Sequence, residues 1–414
     1  MSVRRNIALV AFVGAVGLAI VGIGSMSLAA SRSSVAIGSG RAGTLGGVSA
    51  DSATDAWAVG YYGPFADNPP YASETLALRW NGTSWSKVAS PNPGGTTFGK
   101  FSYLTGVSAR STNDAWAVGS FIDPTTHAQE TLVLRWNGTS WSKVTSPNPG
   151  GTSASGDRSS LTGVSADSTN DAWAVGYYSS PTTGAVETLV LHGNGASWSK
   201  VTSPNPGGTT SSSDLNYLDG ISADSPTDAW AVGSFINPTT HAQETLVLRW
   251  NGTSWSKVTS PNPGGTRGNG LNAVSARSTS DVWAVGNYAS ATTQASQTLV
   301  LHWNGTRWSK VTSPNPDAST YAINILSGVS ARSATDAWAV GSYGNPTSEP
   351  VETLVLHWNS PSWGKVTSPN PDSAMNVLNG VTARSATDAW AVGSYNSPTV
   401  TLVLRWNGTS WSKA

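Results

Sequence analysis

Short apolar segments recur along the chain from about residue 44 onward, and turn-forming residues separate them. One stretch shows four in a row: LTGVSA (104–109), DAWAVGSF (114–121), ETLVLRW (130–136) and SWSKVTS (140–146). Alternation or short apolar runs between Gly, Pro, Asn or Ser residues is typical of β-strands. After residue 30 the sequence has no uninterrupted run of apolar residues at helical spacing, so the pattern predicts an all-β protein.

The hexapeptide DAWAVG sets the period of these strands. It begins at residues 55, 114, 171, 228, 336 and 388, with DVWAVG at 281. The starts of successive units lie 52 to 59 residues apart, near Leu45, Leu104, Leu161, Leu218, Leu271, Leu326 and Leu378. Four strands in each of seven units predict a seven-bladed β-propeller of four-stranded antiparallel blades over residues 44–414.

The repeat resembles a kelch or galactose-oxidase-type propeller blade. The resemblance rests on the pattern VSA, DAWAVG and ETLVLRWNGTSWSKV, and it is closer still to secreted bacterial propellers built from DAWAVG and WNGTSW units. It covers nearly the whole chain after residue 43. One Gly stands where kelch repeats usually have two, which leaves the subfamily open. The resemblance implies the propeller fold, but the cysteine needed for galactose-oxidase cofactor chemistry is absent from the sequence.

The first 30 residues have the pattern of an export signal. Arg4 and Arg5 precede an apolar run over residues 7–24, and small residues follow around Ser27 and Ala29. This order predicts a cleaved signal peptide or, alternatively, an uncleaved membrane anchor. Either would place the rest outside the cell, at the surface or secreted. Residues 31–43 are then a linker or a strand that helps to close the ring.

Charge and cysteine content narrow the function classes. Lys plus Arg equals Asp plus Glu at 23 each, and there is no cysteine. Balanced charge gives no reason to expect a nucleic-acid partner, and the lack of cysteine removes disulfides and thiolate metal sites. No histidine pair has metal-ligand spacing, so we expect no cofactor and no metal site. We expect a monomer.

The repeated Asp, Trp and Gly predict one structural corner per blade. Asp55 and its equivalents follow a turn, where a carboxylate can accept backbone N–H groups. Trp57 and its equivalents are expected to pack between blades, and Gly60 to allow a bulge or a close approach of chains. The 20 Trp residues all fall within the repeats, and Gly193 alone replaces one of them. We therefore assign them to the core.

Loop variation predicts where a binding face lies. Turns between strands one and two, and between three and four, have nearly constant sequences and share one face of the disc, the constant-loop face. The other connections vary in length and composition and define the variable-loop face. Variable loops on a rigid repeated frame are where function tends to lie. We expect binding there.

Aromatic residues supply the candidate ligand contacts on that face. One stands two residues after the Gly of every unit, and these are the strand-end aromatics: Tyr62, Phe121, Tyr178, Phe235, Tyr288, Tyr343 and Tyr395. They are interpreted either as platforms for sugar or protein, or as packing at the strand end. Tyr71, Tyr103, Tyr217 and Tyr321 occupy less regular positions and are candidates for direct contact.

Three other repeated patterns have a structural and a functional interpretation. The NGT tripeptides at Asn81 and four equivalents match a glycosylation sequon, but their place in a hairpin favours turn chemistry. Lys87 and its equivalents are expected to form a solvated outer edge. A third set is basic, and either forms a collar for an anionic ligand or pairs with Glu74-type or Asp55-type acids: Arg79, Arg135, His192, Arg249, His302, His357 and Arg405.

These patterns favour an exported, non-enzymatic binding module for extracellular carbohydrate or a surface protein. Two alternatives stay open. The first is a polysaccharide hydrolase or lyase, which would use loop acids chosen from Asp67, Asp123, Asp157, Asp214 and Glu349. The second is a passive structural repeat of the cell envelope.

Overall fold

The chain forms seven four-stranded antiparallel blades, as the repeat period predicts. The computed structural model describes residues 41–64, 72–97, 99–345, 350–396 and 399–414. Residues 1–40, with the predicted export signal and most of the predicted linker, lie outside this part. Within it, no helix is long and apolar enough to span a membrane.

The first four blades have these strands. Blade 1 consists of β1 (Arg41–Ser52), β2 (Asp55–Pro64), β3 (Glu74–Trp80) and β4 (Trp85–Val88). Blade 2 consists of β5 (Ser102–Ser111), β6 (Asp114–Ile122), β7 (Gln129–Trp136) and β8 (Trp141–Val144). Blade 3 consists of β9 (Ser159–Ser168), β10 (Asp171–Ser179), β11 (Val186–Gly193) and β12 (Trp198–Val201). Blade 4 consists of β13 (Asn216–Ser225), β14 (Asp228–Ile236), β15 (Gln243–Trp250) and β16 (Trp255–Lys257).

The remaining three blades repeat the pattern after a short 3-10 helix at Gly265–Arg267. Blade 5 consists of β17 (Asn269–Ser278), β18 (Asp281–Ala289), β19 (Ser296–Trp303) and β20 (Trp308–Val311). Blade 6 consists of β21 (Ile323–Ser333), β22 (Asp336–Gly344), β23 (Glu352–Asn359) and β24 (Ser362–Lys365). Blade 7 consists of β25 (Asn376–Ser385), β26 (Asp388–Tyr395), β27 (Val400–Trp406) and β28 (Trp411–Lys413).

The core lies between blades. Trp57, fully buried on β2, packs against Leu104 and the indoles of Trp136 and Trp141 in blade 2, both 4.8 Å away between ring centroids. Six further clusters repeat this contact around the ring, and one of them joins Trp390 of blade 7 to blade 1. Each indole buries a large apolar area, so the predicted role of these tryptophans in packing between blades is confirmed.

The glycine that ends every hexapeptide lies beside a bulge in the first hairpin of each blade. In blade 1, Leu45 pairs with Gly60 and Gly47 with Val59, which leaves Gly46 without an opposite residue. A β-carbon on Gly60 would lie 1.9 Å from the carbonyl oxygen of Thr44. Only glycine fits such a close approach, so the expected bulge is present and has a steric cause.

The first and last blades meet without sharing strands. Blade 1 contains only β1 to β4 and blade 7 only β25 to β28. Residues 41–43, which we had expected to be linker or closing strand, extend the start of β1 within blade 1. The backbone amide of Gly43 donates a 2.9 Å hydrogen bond to the carbonyl of Thr399 in blade 7. The ring therefore closes through side-by-side packing and a few hydrogen bonds.

Candidate functional site: the inner rim of the variable-loop face

The strand-end aromatics are largely covered in the folded chain. Tyr62, Phe121, Tyr178, Phe235 and Tyr395 are only 3 to 6% exposed, and Tyr288 and Tyr343 are half-buried. A lysine ammonium from the fourth strand of the same blade lies over each ring, at 3.8 to 4.7 Å from its centroid. Such cation–π contacts occupy the ring face that a sugar would need. This geometry matches the packing interpretation.

A lysine and a third-strand acid of the same blade both bind a strand-end tyrosine. In blade 3 the phenol of Tyr178 donates a 2.5 Å hydrogen bond to Glu187, and Lys200 donates one of 2.7 Å to the phenol oxygen. Burial, then this bond to Glu187, raises the pKa of the Tyr178 phenol. The lysines are therefore held over aromatic rings, in addition to lining the outer edge as we had expected.

The basic residues of the third strands pair with the Asp corners. Arg79 Nε lies 2.6 Å from Asp55 Oδ1, and His192 Nε2 lies 2.5 Å from Asp171 Oδ1. The expectation that Asp55 would cap the turn was wrong, because its carboxylate faces this cation. Ser52 Oγ instead accepts the turn N–H of Thr54 at 3.3 Å. Of the two interpretations of the basic ring, the structure shows pairing, and with the aspartates, not the glutamates.

The NGT tripeptides form turns. Asn81 Oδ1 accepts the backbone N–H groups of Thr83 at 3.0 Å and Ser84 at 2.9 Å. Gly82 has a φ of 95°, a left-handed conformation that glycine adopts at little cost. The preference for turn chemistry at these sites is confirmed.

Three of the loop acids considered for an enzyme form hydrogen bonds with the backbone of their own loops. Asp123 accepts the N–H groups of Thr125 and Thr126 at 2.8 and 2.9 Å, and these bonds lower its carboxyl pKa. Asp157, between blades 2 and 3, and Asp214, between blades 3 and 4, make matching pairs of bonds. Their carboxylates therefore have a structural role here. Asp67 and Glu349 lie outside the described residues, as does Tyr71.

Two pairs of tyrosines break the sevenfold symmetry on the variable-loop face. Tyr61 at the end of β2 contacts Tyr103 at the start of β5 edge to face, with ring centroids 5.1 Å apart. Tyr177 of β10 and Tyr217 of β13 repeat this contact at 5.1 Å. All four, here called the inner tyrosines, are half-buried. Each pair bridges two neighbouring blades where their inner strands reach this face.

The equivalent positions elsewhere carry no aromatic residue. Between blades 2 and 3, which separate the two tyrosine pairs, the same two places hold Ser120 and Ser160. The asymmetry is visible in the sequence once the repeats are aligned, yet we missed Tyr61 and Tyr177 because the neighbouring strand-end aromatics form the more regular series. Tyr103 and Tyr217, predicted as loop contacts, lie on strands. Tyr321 does lie in a connection and is 59% exposed, with a φ of 66°.

Arg158 lies beside the second tyrosine pair. Its guanidinium is 5.2 Å from the ring centroid of Tyr177 and donates a 3.1 Å hydrogen bond to the phenol oxygen. A second donor, Nε, reaches Gln129 Oε1 at 3.1 Å. Arg158 is also close enough to Tyr217 to oppose the rise in its phenol pKa that burial causes. The guanidinium is thus held in place by neutral groups.

A narrow channel runs along the propeller axis below this rim. First-strand residues of all seven blades surround a cavity of about 160 Å³, with Asp219 as its one acidic lining residue among those described. The protein surrounds this carboxyl so closely that burial raises its pKa to about 7, although part of its surface borders the channel. No group of three or more His, Asp or Glu side chains within the described residues could hold a metal ion.

Comparison with known proteins identifies the fold and leaves the family open. No family model matches the chain, and no curated protein is similar to it in sequence. A solved PL25 ulvan lyase is similar in structure, at a TM-score of 0.54 and 9% identity, over 87% of this chain and 91% of that one. YCF48 bound to a D1 peptide has a TM-score of 0.49 and 12% identity, over 90% of this chain and 95% of that one.

The β-propeller domain of the trilobed protease from Pyrococcus furiosus is a third similar structure. It has a TM-score of 0.49 and 9% identity, over 90% of this chain and 97% of that domain. At 9% identity, the likeness to the ulvan lyase shows a common fold only. The described strands themselves show the seven blades, and the kelch and galactose-oxidase resemblance stays a prediction.

Proposed function

We propose that this chain is an exported, non-enzymatic binding module that recognises extracellular carbohydrate on its variable-loop face. The observation that carries the proposal is the pair of half-buried tyrosine contacts, Tyr61 with Tyr103 and Tyr177 with Tyr217. They occur at two of the seven places where blades meet on this face. Packing of the repeat does not require them, because serines serve the same two places between blades 2 and 3.

Tyrosine suits carbohydrate binding for physical reasons. Its ring gives a flat apolar surface for the C–H groups of a sugar, and its phenol forms hydrogen bonds with hydroxyls. With only two side-chain torsions, it loses little conformational entropy on binding. Half-buried rings on strands lose less still, because neighbouring blades already fix them. A shallow rim with aromatic and polar groups is the arrangement expected of such a site.

The test is binding of the purified chain to a broad array of glycans and polysaccharides. We expect saturable binding that a Tyr103→Ser or Tyr217→Ser variant weakens. If the chain binds no glycan but captures a surface protein through the same tyrosines, carbohydrate recognition is wrong and protein recognition takes its place.

A second candidate is a polysaccharide-acting enzyme, favoured by one observation. Asp219 has a carboxyl pKa near neutrality, and it is close enough to raise the phenol pKa of Tyr217. Titratable groups with such shifts often serve as acids or bases in catalysis. The solved ulvan lyase shows that the fold also occurs in an enzyme. Release of new reducing ends or unsaturated sugars from polysaccharides, lost in Asp219→Asn, would support this candidate over simple binding.

A further inference from the structure

Arg158 differs from the arginines of the constant-loop face in its partners. There, eight of the nine described arginines each form a salt bridge with an aspartate, all but Arg307 of an NGT turn: Arg79, Arg110, Arg135, Arg249, Arg277, Arg332, Arg384 and Arg405. The bonds from Arg158 go to Gln129 and Tyr177, which are uncharged. Within the described part of the chain, no carboxylate forms a salt bridge with it. Its positive charge is therefore fixed in position without a matching negative charge.

The charge of Arg158 lies between the two pairs of inner tyrosines. Arg158 is exposed and directly precedes the first strand of blade 3. One tyrosine pair lies between blades 1 and 2, and the other lies between blades 3 and 4. Arg158 therefore stands between the two pairs. Gln129 belongs to blade 2, so the guanidinium also joins two blades. A ligand that reaches from one tyrosine pair to the other would pass the guanidinium on the way.

We propose that the carbohydrate bound at the inner tyrosines is anionic, and that Arg158 binds its carboxylate or sulfate group. This inference rests on the proposed function. A guanidinium presents several N–H donors in one plane, and bonds from it to carboxylate or sulfate are stronger than neutral hydrogen bonds. The bond to Tyr177 holds it beside the ring on which a sugar would stack. A neutral sugar would form no ion pair with the Arg158 guanidinium.

The acids of the two neighbouring connections, Asp157 and Asp214, do not oppose this arrangement. Asp157, the residue before Arg158, accepts the N–H groups of Ser153 and Ala154 with its carboxylate, at 2.8 and 3.0 Å. Asp214 makes the same kind of contact in the following connection. Both negative charges are thus engaged by backbone donors of their own loops.

The experiment measures affinity for two matched pairs of polymers by titration calorimetry at low salt. One pair is polygalacturonate and its methyl ester, which differ in carboxylate charge; the other is dextran sulfate and dextran, which differ in sulfate. We expect at least one anionic member to bind about tenfold or more tightly than its neutral partner. The pair that shows the preference identifies the anionic group. Added salt should weaken the preference.

Arg158→Gln is the test variant, because glutamine keeps hydrogen-bonding capacity and removes the charge. It should lose most of the preference for the anionic polymer and retain the thermal stability of the parent. Arg267→Gln is the matched control, since Arg267 is another exposed arginine on the variable-loop face, two connections further along the chain. This variant should bind like the parent.

Each contrary result has a distinct meaning. Equal binding of both members of each pair, unchanged in Arg158→Gln, would overturn the anionic inference and leave carbohydrate binding intact. A further contrary result is displacement of the anionic polymer by inorganic sulfate when both are present at the same concentration of charge. That result would show a general anion site and would overturn the anionic inference as well. Failure to bind these polymers and every glycan of the array would overturn the inference together with the proposed function.

Discussion

The side-chain amide of Asn379 donates a 2.8 Å hydrogen bond to the backbone carbonyl of Leu45, and so joins the seventh blade to the first. Asn379 occupies the bulge position of its blade. Bulge residues elsewhere make the same contact with the next blade: Thr105 to Leu161 at 2.9 Å, Thr162 to Leu218 at 2.8 Å and Asn272 to Leu326 at 2.7 Å. A series of hydrogen bonds around the channel therefore continues across the closure.

Asn379→Ala should weaken the closure. The Leu45 carbonyl would lose this donor near the channel, which we expect to lower the free energy of unfolding by about 1 kcal/mol. Asn379→Thr is the control, because threonine makes the equivalent bond in blades 2 and 3. Denaturant unfolding followed by tryptophan fluorescence measures both. An alanine variant as stable as the threonine variant would show that this bond contributes nothing to closure.

Asp219 should make stability depend on pH. It stands at the bulge position of blade 4, and burial raises its carboxyl pKa from 3.8 to about 7. The folded protein therefore holds this proton more tightly than the unfolded chain, and the contribution is complete below about pH 4. As pH rises to about 7, this contribution to the free energy of unfolding is lost, by on the order of 4 kcal/mol in total. Above that it stays constant.

Asp219→Asn isolates this effect. Asparagine does not titrate, and Asn272 and Asn379 show that it can donate to the next blade from this position. The variant should match the parent near pH 4 and exceed it in stability at about pH 8. Tyr177 and Tyr217 are the titratable side chains at this end of the neighbouring strands, whereas Asp167, Asp228 and Arg277 lie towards the other end. A stability difference that does not change with pH would refute the raised pKa.

Arg79 should stabilise the fold mainly by pairing with the buried carboxylate of Asp55. Asp55 is 2% exposed, and its second oxygen, Oδ2, is buried without a hydrogen-bond partner. Arg79→Met would leave a buried charge unpaired, at a cost of about 3 to 5 kcal/mol in unfolding free energy. Arg79→His should cost much less, because histidine pairs with the Asp corner in blades 3, 5 and 6. Similar losses in both variants, measured by thermal unfolding, would contradict this explanation.

Local periodicity explains how much of the fold was predictable. Strands, blades and the packing of Trp57 follow from repeated apolar spacing, since each repeat must bury the same face. Contacts between side chains of different strands do not follow from it. The ammonium of Lys87 over Tyr62, and the pairing of Asp55 with Arg79 in place of the turn, depend on which side chains converge in space. Sequence spacing alone does not contain that information.

The candidate site was predictable in part. Loop variation predicts a site on the variable-loop face, and the sequence also indicates Tyr103 and Tyr217 there. Their partners Tyr61 and Tyr177 stand one residue from the strand-end aromatics and required comparison between blades at single positions. Arg158 gave no sequence signal, because its neutral partners Gln129 and Tyr177 lie 29 and 19 residues away along the chain.

The most direct test compares the two sets of aromatics in one binding measurement. In Tyr61→Ser/Tyr103→Ser, the first tyrosine site takes the residues that the chain itself uses at Ser120 and Ser160, so the fold should be kept. Tyr288→Phe alters a strand-end aromatic to the residue found in blades 2 and 4. With the best glycan from the array, we expect the serine variant to lose affinity about tenfold or more and Tyr288→Phe to bind like the parent. Unchanged affinity in the serine variant, or a loss confined to Tyr288→Phe, would contradict the assignment of binding to the inner tyrosines.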